Sequence, residues 1–152
     1  MDTSTLSLRQ AHRLFQVGIL LFLLAALAGL AVPHFAVPRL GLSAHLLGIL
    51  QGIFLVVVGL LWPKLRLGSA TSRLVFWLLI YGCFAALTAN VLAGAWGAGN
   101  SMLPRAAGSA HGNLLQEGII VISLRSAAVA LVTALMLILW GLRAFDFEHM
   151  SK

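Results

Sequence analysis

The sequence predicts an all-α integral membrane protein, a four-helix bundle forming one transmembrane domain over residues 1–152, with the N- and C-termini cytoplasmic. Three observations predict it. Only 9% of the 152 residues are charged and 61% are hydrophobic, with a mean hydropathy of +1.00. A water-facing surface takes roughly 25% charged residues, so lipid must be the solvent. Four apolar runs are each long enough to cross a hydrocarbon core of about 30 Å, which takes about 20 residues. The basic residues behind the net charge of +6 sit between those runs, where they set topology rather than form a nucleic-acid surface.

The first helix is expected over Leu14–Val32, after Arg9 and Arg13 and before Pro33. It is longer than the roughly 7–15 residues of a secretory signal core. No small-residue cleavage pattern precedes a polar region, so a retained helix is expected. Pro33 and Pro38 break the chain. The second helix, Ala44–Trp62, is closed by Pro63. The third, Leu74–Trp96, dissolves into GAGNSMLPRAAGSAHGN, and the fourth is Gly118–Leu142. Seven basic residues fall on one side of this arrangement: Arg9, Arg13, Lys64, Arg66, Arg73, Arg143 and Lys152. Two, Arg39 and Arg105, fall on the other, and Arg125 lies inside the fourth run. That bias places both termini in the cytoplasm.

Polar residues inside the runs are the candidates for chemistry. At 1.5 Å per residue, Gln51, Asn90 and Arg125 each lie roughly 10 Å from the outer boundary. His45 sits above that layer and Glu117 beside it. Each has a plainer reading. Gln51 or Asn90 can bond a neighbouring helix, His45 can face interfacial water, and Arg125 can snorkel outward. Glu117 can lie in the aqueous loop, hydrogen-bonded locally to Asn113. The shared depth favours a common site, because an arginine in hydrocarbon costs about 2.5–3.5 kcal/mol even on a lenient scale.

Small residues mark close packing: Gly48, Gly52 and Gly59 on the second helix, and Ala25 with Gly29 on the first. Gly48 and Gly52 also lie nearly on the face of His45, where missing side chains leave room for a flat group. Tyr81 reads as a packing residue. The single cysteine, Cys83, excludes an intrachain disulfide and a multi-cysteine metal cluster. Nucleotide-loop, serine-hydrolase and zinc-protease motifs are absent from the sequence, as are paired histidines on one helix, so a two-haem cytochrome is not expected.

The stretches SAHLLGILQGIFLVVVGLLWPKLRL, YGCFAALTANVLAGAWGAGNSMLP and LILWGLR resemble the hydroxylaminobenzene mutases, small membrane enzymes that convert hydroxylaminobenzene to 2-aminophenol. The Ser-Ala-His, Gln-Gly, Ala-Asn and Trp-Gly-Ala-Gly points carry the likeness. A more distant resemblance is to the styrene oxide isomerases, trimeric four-helix proteins that bind haem b through a histidine on the second helix. That histidine is followed six residues later by an amide and then glycine, here His45, Gln51 and Gly52. The resemblance implies His45 as iron ligand and Gln51 as a pocket amide. It departs at the third helix, where those isomerases use a tyrosine and this chain has Ala89–Asn90.

The expected function is therefore a membrane-bound mutase of the aromatic-compound degradation type, with haem iron as Lewis acid. Gln51 and Asn90 would hold the substrate. Gly48 and Gly52 would seat the haem, and Arg125, or Arg105 in its place, would meet a haem carboxylate. A homotrimer in the bacterial inner membrane is expected. The alternatives are a b-type cytochrome or oxidase-like electron-transfer subunit, and a haem-free small transporter.

Overall fold

A computed structural model describes residues 3–143. Lys152 lies outside the described residues, as does the Arg143 side chain. The helices are α1 (Thr3–Leu30), α2 (Pro38–Leu61), α3 (Ser69–Trp96), the short α4 (Pro104–Ala107) and α5 (Leu114–Arg143). Four of them, α1, α2, α3 and α5, are long and apolar enough to cross a membrane. They alternate in direction. The 31–37 and 97–113 connections share one end, called here the loop end. The 62–68 connection lies at the opposite, terminal end.

All four helices begin before the apolar runs that announce them. Hydropathy marks the part of a helix that belongs in hydrocarbon, whereas the helix itself runs from cap to cap. Pro38 occupies the first position of α2, where its fixed φ suits a helix and its missing N–H is no loss. At α5, the Asn113 side chain accepts the Gln116 N–H at 2.9 Å and the Gln116 side chain accepts the Asn113 N–H at 2.9 Å, a reciprocal capping box. Gly97 ends α3 in a left-handed conformation, φ 64°, which a glycine adopts without a Cβ clash.

α1 and α2 pack antiparallel along a seam of small residues. A Cβ on Gly52 would stand 2.8 Å from the Gly18 carbonyl oxygen, one on Gly48 2.6 Å from the Ala25 Cβ, and one on Gly59 3.2 Å from the Ala11 carbonyl oxygen. Ala11, Gly18 and Ala25 recur every seven residues on α1, as His45, Gly52 and Gly59 do on α2. A seven-residue repeat keeps one seam facing its partner along the whole contact. Without side chains there, the backbones approach closely and gain dispersion and Cα–H···O contacts. His45 therefore occupies a seam position that is glycine in the next two repeats.

α3 is the centre of the molecule. Half of its apolar window is buried, 50%, against 22% for α1 and for α5. Leu79, Val75 and Cys83 of α3 meet Leu14 and Leu21 of α1 and Leu55 of α2 in the main core. α5 packs along α3 through Ala127, Ala130 and Ala134, where a Cβ on Gly82 would meet Leu131 and the Ala127 carbonyl. It makes at most marginal contact with α1 and α2. The four spans thus form a three-helix group with α5 attached to one side, not a closed ring.

At the terminal end the buried Gln10 Oε1 accepts the Ser72 hydroxyl at 2.7 Å and the Trp62 indole N–H at 3.2 Å. One amide so ties α1 to the end of α2 and the start of α3. At the loop end the Phe35 ring fills the space left by Gly41 and Gly94.

Candidate active site

His45 projects from α2 into the seam with α1. Its Nδ1 lies 2.8 Å from the Ala25 carbonyl oxygen. A carbonyl only accepts, so Nδ1 carries the proton and donates. With the proton held at Nδ1, Nε2 is the nitrogen available to a ligand. This is how a backbone carbonyl fixes the tautomer of a ligating histidine and raises its basicity. The imidazole fits because residue 29 is glycine: a Cβ there would overlap Nδ1 and stand 2.7 Å from Cε1. The Ala25–Gly29 pair, legible as a small-residue motif, is the receptacle for the histidine. Ala26, Gly29, Leu30, Val32, Pro33, Leu42 and His45 line a groove of about 500 Å³. Its rim residues Leu30 and Leu42 are exposed on the membrane-facing surface.

Asn90 is buried at the α2–α3 contact. Its amide donates to the Ala86 carbonyl at 2.9 Å, and its oxygen accepts the Ser43 hydroxyl at 3.4 Å. In the sequence Ser43 stands out only as part of the Ser-Ala-His point, and nothing there pairs it with Asn90. Gln51 is also buried, and its Oε1 has no hydrogen-bond partner among the described residues. An unpaired buried acceptor costs roughly 1–3 kcal/mol, so Gln51 is the polar group whose position the fold explains least.

The structure corrects three expectations. The first is the common layer. Asn90 meets Ser43, and Gln51 lies eight residues further along α2, about 12 Å deeper. Asn90 is level with His45 instead. Arg125 neighbours Ser126, whose hydroxyl bonds Tyr81 at 2.8 Å, nine residues below Asn90 on α3. Gln51 and Arg125 are therefore the deep pair. The ruler failed because it started from the ends of apolar runs rather than from helix ends. The second is the shared pocket: Gln51 does not line the His45 groove. The third concerns Gly48 and Gly52. Ala25 and Leu87 fill the space at Gly48, and Gly18 and Phe22 fill it at Gly52. Within one chain the room beside His45 comes from Gly29.

Arg125 is exposed, between the exposed Ile122 and Val129, and has no partner among the described residues. Arg105 is exposed on α4. Tyr81 is half-exposed with a satisfied hydroxyl: Ser126 donates to the Ser123 carbonyl at 3.1 Å and so receives the Tyr81 proton. Glu117 is not a local partner of the Asn113 side chain. Its Oε1 accepts the N–H groups of Gly99 at 2.7 Å, Gly112 at 3.2 Å and Asn100 at 3.3 Å, and its Oε2 that of Ser101 at 3.4 Å. The Trp-Gly-Ala-Gly stretch thus leads into a backbone nest for this carboxylate, with Gly99 at φ 104°.

The chain is 47% identical over 134 residues to hydroxylaminobenzene mutase HabB of Ectopseudomonas oleovorans, covering 88% of this chain and 82% of that one. It is 41% identical over 129 residues to hydroxylaminobenzene mutase HabA of the same organism, covering 85% and 96%. No solved structure matches significantly. The sequence model of the styrene oxide isomerase family matches residues 10–143. Because that match runs from the Gln10 tie in α1 to the end of α5 and takes in all four membrane-length helices, the chain belongs to the styrene oxide isomerase family.

Proposed function

We propose that this isomerase rearranges arylhydroxylamines of the hydroxylaminobenzene type to 2-aminophenols, at a membrane-embedded site built on His45 with haem b as cofactor. The observation that carries the reading is the His45 geometry: Nδ1 engaged by the Ala25 carbonyl, with the ring among the residues that line a groove between α1 and α2. The donor set fits a macrocycle better than a bare ion. Among the described residues no group of three or more His, Cys, Asp or Glu side chains comes together, whereas a porphyrin brings four donors of its own and needs one imidazole. Gly29, Val32 and Pro33 would lie beside the ring. Arg125, with no partner among the described residues, or Arg105, would meet a carboxylate of the group.

The reaction is balanced without an oxidant or reductant. The N–O bond breaks, a C–O bond forms at the ortho carbon, the ring loses a proton and the nitrogen gains one. When bound, haem supplies an electrophilic iron that polarises the N–O bond. The protein does the rest. The Ala25 carbonyl holds the His45 tautomer. The apolar groove walls admit an aromatic molecule from lipid and exclude water. Gln51, buried outside the His45 groove with an unpaired acceptor, is given no role in holding the substrate there. Asn90, bound to Ser43 at the level of His45, is a positioning residue. A homotrimer in the bacterial inner membrane, termini cytoplasmic, is the proposed assembly.

Purified protein is expected to show a Soret band and to convert hydroxylaminobenzene to 2-aminophenol, with both lost in a folded His45→Ala variant. A colourless, fully active wild type overturns the cofactor. A redox-active haem protein that leaves the substrate unchanged would instead favour an electron-transfer subunit.

A further inference from the structure

The lipid-side face of α1 changes chemistry along its length. At the terminal end Arg9, His12, Arg13 and Gln16 succeed one another at helical spacing and are all exposed. With Leu8 they line a groove of about 510 Å³. None has a partner among the described residues. The opposite side of these turns is fixed in the core by Gln10, Ala11 and Leu14, so the cations are held on a rigid helix and not on a fraying tail. One turn further the same face becomes Ile19, Leu20, Leu23 and Leu27, all exposed. Beside Ile19 lies a second groove, of about 210 Å³, lined only by Gly18, Ile19, Phe22, Gly52, Ile53, Val56 and Val57. It exists because Gly18 and Gly52 bring the backbones of α1 and α2 together without side chains.

We propose that an anionic phospholipid sits here, its phosphate among Arg9, His12, Arg13 and Gln16 and one acyl chain in the Gly18–Gly52 groove. Two independent features point to the same occupant. A diffuse basic belt would explain the arginines but not the apolar groove that begins one turn away beside Ile19. Lipid-facing leucines alone would explain neither the channel nor the cations. Two arginines with a glutamine and a histidine match a phosphate that carries net charge, and favour anionic over zwitterionic headgroups. The apolar groove lies at the edge of the α1–α2 seam, one heptad from His45, the cations lie on the outer side of α1, and both are separate from the proposed reaction site.

The test is phospholipid binding to the full-length protein by native mass spectrometry, titrating phosphatidylglycerol against phosphatidylcholine. Phosphatidylglycerol should bind at least about tenfold more tightly. Arg9→Gln/Arg13→Gln should weaken it about 10- to 30-fold, at roughly fivefold per cation near a membrane surface. Val57→Phe, which leaves charge unchanged and fills the apolar groove, should weaken it as well, while Arg39→Gln at the loop end should not. Equal binding of the two lipids, or loss in the arginine variant with none in Val57→Phe, overturns the seated lipid. Inorganic phosphate that displaces the lipid completely would likewise overturn it, reducing the site to a headgroup attraction.

Discussion

His45 depends on a residue that is not there. In the seam repeat its position is glycine twice over, and an imidazole fits only because Gly29 opposes it. That makes Gly29 as informative as the histidine. Alanine is a better helix former than glycine by about 1 kcal/mol, so Gly29→Ala should leave the helix itself intact. The added methyl would overlap Nδ1, push the ring off the Ala25 carbonyl and release the tautomer. Outer-shell partners of metal-bound histidines are commonly worth 10- to 100-fold in affinity. With haem bound as proposed, the expected result is a loss of haem per protein on that scale, measured by the Soret band, with α-helical content and thermal unfolding near wild type. Equal haem loading would show that the carbonyl contact does not govern ligation.

Four helices were legible from hydropathy alone, because a chain with so few charges has no other way to satisfy its backbone in lipid. Their starts were not, because caps and proline positions override hydropathy at an interface, whereas their C-terminal ends fall within two residues of the run ends. Depths measured from the starts of the second and fourth runs inherit that error, whereas the third run ends with α3 at Trp96, which is why Gln51 lies deeper than Asn90. The Glu117 nest was also illegible: its donors are backbone N–H groups of a loop 16–18 residues away, and backbone groups leave no mark in sequence. The nest gives a prediction for the 97–113 connection. Glu117→Gln keeps one acceptor but loses the charge that strengthens the bonds at the partly exposed carboxylate. It should destabilise the protein by about 1–2 kcal/mol and raise amide exchange at Gly99, Asn100, Ser101 and Gly112, without changing exchange along the α1–α2 seam. Unchanged exchange at those four amides would remove Glu117 as the organiser of the loop.

At the scale of the whole molecule, the open arrangement of the spans separates two groups that the proposed site needs together. His45 sits in the α1–α2 seam, and Arg125 lies on the exposed side of α5, which packs chiefly on α3. The chain has four acidic residues: Asp2, Asp146 and Glu148 at its ends, and Glu117, whose oxygens already serve the loop. Among the described residues no carboxylate other than that of Glu117 is present, so none is placed to neutralise Arg125 at its depth, and an uncompensated arginine there costs about 2.5–3.5 kcal/mol. A carboxylate carried by a cofactor answers that need. The side chain of a helical residue leans toward the helix N-terminus, so Arg125 leans toward the loop end, where the His45 groove opens. In the proposed trimer, α5 of one copy would then face the α1–α2 groove of the next. The prediction is complementation in trans. His45→Ala abolishes the Soret band, and Arg125→Gln weakens it. Co-expressed with distinct tags and isolated as mixed assemblies, the two variants should regain part of the band, because one interface then pairs an intact His45 with an intact Arg125. If both groups act within one chain, every copy in the mixture is defective and the band, counted per copy that retains His45, stays at the level of the Arg125→Gln protein. A wild type that binds haem with no recovery in the mixture would confine the site to a single chain, and a wild type without haem would end the cofactor reading itself.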